Sequence, residues 1–270
     1  MTANGQTSEF VTDGINPMFQ TTDAMKGSIV NQLLPQISHL LWAGTLTHIF
    51  FYGAGCTPEK KKFVKFALEQ VFKKAEAIVE SDMVGAARGL LQHTAGVACI
   101  LGTGSGSCYY DGEKIDWCVP SLGYILGDEG SAATLGKRLV SDLLKNQLGN
   151  DLKEEFLTEN NITMADIFEK VYRQPFPNRF LASLSKFCAA NIADERIRTL
   201  VKTHFDEFIR RNVAQYDTKI VSFTGSIAYY YRDILEEVCH EHGLEIGAIM
   251  QDPIKGLIEY HRGDVVPTQN

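Results

Sequence analysis

No run of about eighteen apolar residues occurs in the chain, so the sequence holds no bilayer-spanning helix. Met1 to Gln20 is polar, with neither a basic n-region nor an apolar h-region, and no signal peptide is expected. Positive charge is in deficit: 26 Lys and Arg face 33 Asp and Glu, for a net charge of −7. That balance argues against nucleic acid or an anionic membrane as partner. The six cysteines form no C-x-x-C pair, and several sit inside apolar runs, where cysteine acts as a small hydrophobe. A reduced, cytoplasmic compartment fits that usage. H-E-x-x-H, G-x-S-x-G and cysteine–histidine signatures are all missing, so hydrolysis by those routes is not expected. In Cys239-His240-Glu241-His242 only Cys239 and His242 share a helix face, and no second pair completes a zinc site.

What is present reads as a globular α/β protein. Hydrophobic residues make up 44% of the 270, enough to bury a core without staples. Asn4-Gly5 is a hairpin turn followed by strand-like alternation from Gln6 to Val11. A helix is expected from Thr22, whose hydroxyl could cap it, with a break or kink at Pro35. His48 to Tyr52 reads as a strand, and Thr57-Pro58 as an N-cap with proline in the first helical position. The helix that follows carries Phe63, Phe66, Ala67, Gln70 and Val71 on one side. Its Lys60-Lys61-Lys62 run, with Lys65, Lys73 and Lys74, reads as a solvated face. After the strand-like Ala77-Ile78-Val79, Ser81-Asp82 opens another helix through Leu91. Residues 137–216 read as almost wholly helical, with breaks at Gly149-Asn150, Pro175 and Pro177. Strands are expected at Lys219 to Phe223 and Leu244 to Met250, and a last helix at Pro253 to His261. Alternating strands and helices in both halves predict an α/β protein of two lobes.

The most informative segment is Val97-Ala-Cys-Ile-Leu101, then Gly102-Thr103-Gly104-Ser105-Gly106, then Ser-Cys-Tyr-Tyr110. It reads as strand, glycine turn, strand. Such a turn can aim several backbone N–H groups at one anion, since glycine removes the Cβ atoms that would hold a phosphate away. A plain tight hairpin is the bland alternative, but it needs fewer glycines. The dinucleotide fingerprint fails, because Ser107 stands where a third glycine belongs and a strand follows. Gly130 to Lys137 nearly matches a P-loop but has five spacer residues and Arg138 in place of Ser or Thr.

Asp82 reads first as a helix N-cap, a role compatible with facing a cleft as a base. Asp128 and Glu129 could likewise begin a helix. Their flanking Gly127 and Gly130 suggest close approach of another backbone or a ligand. Thr-Gly-Ser recurs at 103–105 and 224–226, each time after an apolar strand. A phosphate cradle, a candidate base and an acidic loop together suggest phosphoryl transfer to a small hydroxyl compound.

Ser81-Asp82, Leu101-Gly-Thr-Gly-Ser105, Gly123-Tyr-Ile-Leu-Gly-Asp-Glu-Gly-Ser131 and Thr224-Gly-Ser226 stand in the order found in N-acetylglucosamine kinases. The chain resembles that family, a BadF-type ATPase branch of the sugar kinase, actin and heat-shock chaperone superfamily, from about Asp13 to its end. The resemblance implies two ribonuclease H-like lobes around a cleft for ATP, Mg2+ and an amino sugar. The implied division is 1–93 for a sugar-binding lobe, completed by helix 253–263, and 94–252 for a nucleotide-binding lobe. Asp82 then resembles the base for the sugar 6-hydroxyl. Asn16, Gly123, Tyr124 and Asp128 resemble sugar contacts. Gly102, Thr103, Gly104 and Ser105 resemble a phosphate motif, and Gly225 and Ser226 the adenosine motif. A small-molecule sugar partner and a homodimer are also implied.

One departure stands out. The family opens with a strand carrying an Asp-x-Gly-x-Thr-type phosphate motif, and this chain holds no such segment, so the first lobe is expected to lack its first strand. The expectation is that the true start lies upstream, because the other motifs are intact. The alternatives are a homologue that binds sugar or nucleotide without turnover, and an activator ATPase of the kind serving acyl-CoA dehydratases and reductases.

Overall fold

The computed structural model describes residues 2–3, 6–41 and 46–262. By packing, the chain divides into two compact units, Met1–Gly85 and Ala86–Asn270. That division falls inside a helix, ahead of the boundary at 93 implied by the family resemblance.

In the first unit, β1 (Thr2–Ala3) and β2 (Gln6–Thr7) pair antiparallel. The Asn4-Gly5 turn lies outside the described residues, and the strand expected to reach Val11 ends at Thr7. Helix α1 (Thr22–Ser28) is capped by Thr21, whose hydroxyl accepts from the Ala24 N–H at 3.3 Å. Capping is thus one residue earlier than expected. A π turn (Ile29–Leu33) then leads into α2 (Leu34–Ile37), which contains Pro35. Proline lacks an N–H to donate, and the widened turn just before it is a common way to accommodate such a break in the ladder.

Strand β3 (His48–Gly53), helix α3 (Lys61–Val71) and strand β4 (Glu76–Ser81) form a parallel β-α-β unit. Gly53 stands opposite Ser81, so the carboxyl ends of the two strands lie side by side. Thr57-Pro58 opens a turn rather than the helix: the N–H groups of Lys60 and Lys61 both donate to the Thr57 carbonyl, and α3 starts after it. The helix buries Val64, Ala67 and Leu68, a spacing that puts one face inward. Phe63 and Phe66, expected inside, are exposed, and the Lys60 and Lys62 ammonium groups lie 5.9 and 5.3 Å from the Phe63 ring centroid.

Helix α4 (Asp82–Leu91) carries the chain into the second unit. Its strands are β5 (Gly96–Leu101), β6 (Ser105–Tyr110), β7 (Ile115–Val119), β8 (Ile220–Thr224) and β9 (Glu245–Met250). They form one sheet in the order β7-β6-β5-β8-β9. Strand β6 runs antiparallel to β5 and β7, while β5, β8 and β9 are parallel. Val97, Ala98, Cys99 and Leu101 of the central β5 are all buried, as a strand covered on both faces requires.

Between β7 and β8 come α5 (Gly123–Leu126), α6 (Ala132–Leu144), α7 (Asn150–Glu159), α8 (Met164–Tyr172), α9 (Pro177–Leu184), α10 (Lys186–Ala190) and α11 (Glu195–Arg211). The expected breaks are present, with Gly149 at φ 89° before α7 and Pro177 opening α9, and further ones, not expected, fall at 160–163, at Ser185 and at 191–194. After β8, α12 (Ser226–Tyr230) and α13 (Arg232–Glu241) are split at Tyr231, whose hydroxyl donates to the Ser185 carbonyl at 2.9 Å. Helix α14 (Ile254–Arg262) crosses the second half of α4 so closely that a Cβ on Gly256 would stand 2.0 Å from the Gly89 carbonyl oxygen.

Leu135, Leu139 and Leu143 of α6 meet Val201, Phe205 and Phe208 of α11 in the core beneath the sheet. Buried His204 of α11 donates from Nε2 to the Ser131 carbonyl at 2.9 Å. Burial holds its pKa at about 4, so the ring is neutral at pH 7.

Two expectations follow for stability. A Cβ on Gly136 of α6 would lie 1.9 Å from the Leu181 carbonyl oxygen, whereas one on Gly27 of α1 would meet its nearest neighbour only at 4.0 Å. Gly136→Ala should therefore cost about 1–3 kcal/mol, while Gly27→Ala should gain up to about 1 kcal/mol. Thermal melts that shift equally in both variants would contradict this. For His204, the unfolded ring takes a proton near pH 6.5 and the folded ring only near 4. Stability is then intact above pH 6.5 and falls as pH drops from 6.5 towards 4. Urea titrations across that window should show a shallower pH slope in His204→Gln, and an unchanged slope would sink the assignment.

Candidate functional site

In the first unit, chemistry-bearing residues gather at the carboxyl ends of β3 and β4. Ser81 caps α4, its hydroxyl accepting from the Val84 N–H at 3.3 Å. This corrects the expectation that Asp82 is the cap. Asp82 is instead the first helical residue, its Oδ1 accepting from the N–H of the next residue, Met83, at 2.9 Å. The residue is exposed, yet protein fills most of the space around its carboxyl. That loss of hydration pushes its pKa above the ordinary carboxylate value.

Beside it, a cavity of about 320 Å3 is lined by Gly55, Cys56, Thr57, Pro58, Lys61, Glu80 and Ser81. Lys61 donates to both Glu80 oxygens, at 3.2 and 3.1 Å, across the mouth of the β-α-β unit. Asn16 comes to the same end. Its N–H donates to Gln20 Oε1 at 2.7 Å, and its Oδ1 accepts from Met18 at 2.9 Å. Gly55, at φ 77°, packs so tightly on it that a Cβ there would be 2.4 Å from Asn16 Oδ1. Asn16 and Asp82 therefore flank one turn, Gly53 to Thr57.

In the second unit, the Gly102–Ser105 turn joins β5 to β6, with Leu101 opposite Ser105. Both of its flanking structures hold it from behind. The first N–H groups of α6, from Ala132 and Ala133, donate to the carbonyls of Gly102 and Thr103 at 2.8 and 3.2 Å. The Asp128 carboxylate lies against the turn: a Cβ on Gly104 would stand 3.0 Å from its Oδ2, and the N–H groups of Ser105 and Gly123 are near enough to pull its pKa down. Burial raises the Asp128 pKa, against the downward pull of those donors. Asp128 sits at φ 57°, a left-handed conformation that aspartate tolerates, and its own carbonyl accepts from Thr134 Oγ1 at 2.6 Å.

Register places the second Thr-Gly-Ser beside the first, since Ile100 pairs with Thr224. Gly225 is at φ 114°, and a Cβ there would stand 2.4 Å from the Leu101 carbonyl oxygen. The carboxyl ends of parallel strands are where open α/β sheets take ligands.

The turn has the features of an anion site. Among the described residues, the N–H groups of Thr103 and Gly104 have no hydrogen-bond partner. The Thr224 hydroxyl is buried and also unpartnered. These donors fit a nucleotide phosphate. Among the described residues, no three His, Cys, Asp or Glu side chains converge. A Mg2+ ion carried by a nucleotide needs only one or two carboxylates, and Asp128 is the carboxylate at this turn.

Thus Gly102, Thr103, Gly104, Ser105, Gly123, Asp128 and Gly225 form one cluster, with Ser226 heading α12 beside it. Tyr124 contributes a carbonyl that accepts from Lys137 at 2.6 Å. Gly127 and Gly130, read as signs of a ligand, are packing residues: Cβ atoms there would press Leu122 at 3.1 Å and Phe208 at 2.9 Å. Glu129 is held by Arg211 at 2.7 Å. Lys61 was expected only on a solvated face, and Glu80 escaped the sequence reading. Nothing local marks them, because only the parallel β3–β4 register brings them together.

No protein-family model matches the chain, and no curated protein does. Among solved structures, a Porphyromonas gingivalis protein provisionally named an N-acetylglucosamine kinase is 44% identical, over 95% of this chain and 91% of its own, with a TM-score of 0.91. A Chromobacterium violaceum protein with the same provisional name is 18% identical, over 87% and 83%, with a TM-score of 0.63, and shows a shared fold. The second unit's sheet, with its second strand antiparallel and its third to the outside, has the ribonuclease H-like order. With that identity across nearly its whole length, the chain belongs to the N-acetylglucosamine kinase family of sugar kinases.

Proposed function

We propose that the chain transfers the terminal phosphoryl group of ATP to an amino sugar, N-acetylglucosamine at its 6-hydroxyl. The observation that carries this reading is the pair of unpartnered N–H groups, Thr103 and Gly104, on a turn braced by Asp128 and by the first N–H groups of α6. Donors fixed before the ligand arrives need little reorganisation as charge develops. ATP, when bound, supplies the phosphoryl group and a diphosphate leaving group, with Mg2+ as its counter-charge.

The chain's own residues divide the remaining work. Asp82 takes the proton from the attacking hydroxyl, and its raised pKa makes it the stronger base. Asn16, on the Gly55 turn, contacts sugar hydroxyls, and the cavity beside it offers space for a ring substituent. Asp128 lies against the phosphate turn and, on this reading, accepts from a sugar hydroxyl. Gly123 and Tyr124 lie along the sugar, and Gly225 and Ser226 along the adenosine. The cytoplasm and a homodimer belong to the same reading. The activator-ATPase alternative needs several surface cysteines around a cluster, and of Cys99, Cys108 and Cys118 only Cys118 is exposed.

Two results are expected. The chain, with Mg·ATP and N-acetylglucosamine, should release ADP faster than with no sugar. Equal release in both would contradict sugar phosphorylation. Asp82→Asn should lower kcat by about 10²–10⁴-fold while sugar binding measured by calorimetry stays nearly unchanged. It should also remove the acid limb of the kcat/KM profile, which in the parent lies above the ordinary carboxylate range because burial raises the Asp82 pKa. Turnover within a few-fold of the parent would reduce Asp82 to a helix-start residue.

A further inference from the structure

Cys108 and Cys118 stand directly opposite each other on the antiparallel strands β6 and β7. Opposed residues share a face, and this pair lies on the face away from Tyr216, whose hydroxyl meets Ser107 Oγ at 2.9 Å and accepts from the Val119 N–H at 3.0 Å. Of the six cysteines, Cys118 alone is exposed, and Cys108 is fully buried behind it. The two thiols influence each other's titration, as side chains facing each other across the pair do.

We propose that Cys108 and Cys118 are a reversible dithiol–disulfide pair, oxidised by exchange with small disulfides of the glutathione class. Directly opposed residues of an antiparallel pair have Cα atoms about 4.5–5.5 Å apart, inside the range a disulfide spans. Closing the bond asks the Cβ atoms to approach by up to roughly 1 Å. Strand β7 can give that movement, because it is the sheet's edge and its register with β6 already shifts between Tyr109 and Tyr110.

The roles of the two sulfurs differ. Cys118 is exposed and is held below the ordinary thiol pKa by its interaction with Cys108, whereas buried Cys108 is pushed up by Cys118 and by lost hydration, so the exposed sulfur carries the thiolate. The Cys118 thiolate attacks one sulfur of the small disulfide, forming a mixed disulfide and releasing one thiolate. Cys108 then attacks the Cys118 sulfur and expels the second glutathione, which takes the Cys108 proton. Two protein thiols are oxidised and one small disulfide is reduced, so atoms and electrons balance. Past the pair, Ser121 donates to the Ser105 carbonyl at 3.1 Å, so the cross-link would tie the edge strand into the phosphate turn.

The test is direct. The reduced chain is incubated with oxidised glutathione, quenched with iodoacetamide under denaturing conditions and digested without reductant for mass spectrometry. The expected result is a cross-linked peptide joining residues 108 and 118, the loss of two alkylated cysteines and full reversal by dithiothreitol. In Cys108→Ser the reaction should stop at one glutathione on Cys118. A parent chain that keeps glutathione on Cys118 while Cys108 remains alkylatable would overturn the proposal, as would a Cys118 that does not react at all. Both readouts on the parent chain are independent of whether the variant folds, and of the sugar kinase reading.

Discussion

The Asp128 carboxylate holds together what the sequence keeps apart. Its Oδ2 lies 3.0 Å from where a Cβ on Gly104 would stand, and the N–H groups of Ser105, at the end of the glycine turn, and of Gly123, at the start of α5, both favour its charged form. A carboxylate beside backbone N–H groups is a charge-assisted brace. From the other side, the first turn of α6 donates to the carbonyls of Gly102 and Thr103. With its carbonyls engaged, the turn keeps the N–H groups of Thr103 and Gly104 as its open donors. Burial of Asp128 works against its charge, and the two donors offset part of that cost.

The brace depends in turn on the core. Gly130, at φ 78°, lets the chain pass between Leu101 and Phe208, where any side chain would collide. Neutral, buried His204 fixes the Ser131 carbonyl just before α6 begins. Arg211 holds Glu129 away from the turn at 2.7 Å. One short acidic segment thus has its glycine, carbonyl and second acid consumed by packing, which leaves Asp128 as the member turned to the ligand turn. The first unit has a parallel logic: Ser81 takes the capping role, and Asp82 is left with a carboxyl whose hydration is reduced but whose surface is open.

Much of this was legible in the chain itself. Strand, glycine turn and strand at 97–110 could be read locally, because β-branched and glycine residues speak through neighbours. The Ser81-Asp82 helix start and the Gly149 and Pro177 breaks were legible for the same reason. What could not be read was anything that register decides. The two Thr-Gly-Ser segments are neighbours only because β8 inserts beside β5. Lys61 meets Glu80 only because β3 and β4 run parallel. Local signals also misled where tertiary packing won: Phe63 and Phe66 are apolar yet exposed, and Thr57-Pro58 makes a turn because α3 begins only after its Thr57 carbonyl has been satisfied twice.

On the proposed function, the Gly102–Ser105 turn holds the phosphates of a nucleotide through the Thr103 and Gly104 amides. Hydrogen exchange at single-residue resolution, with and without saturating ATP, tests it most directly. Those two amides, exchanging freely in the unliganded chain, should become protected when ATP is added, while the turn at Gly243, between α13 and β9, should not change. Exchange at Thr103 and Gly104 that is indifferent to ATP, in a chain that calorimetry shows to be saturated, would contradict it.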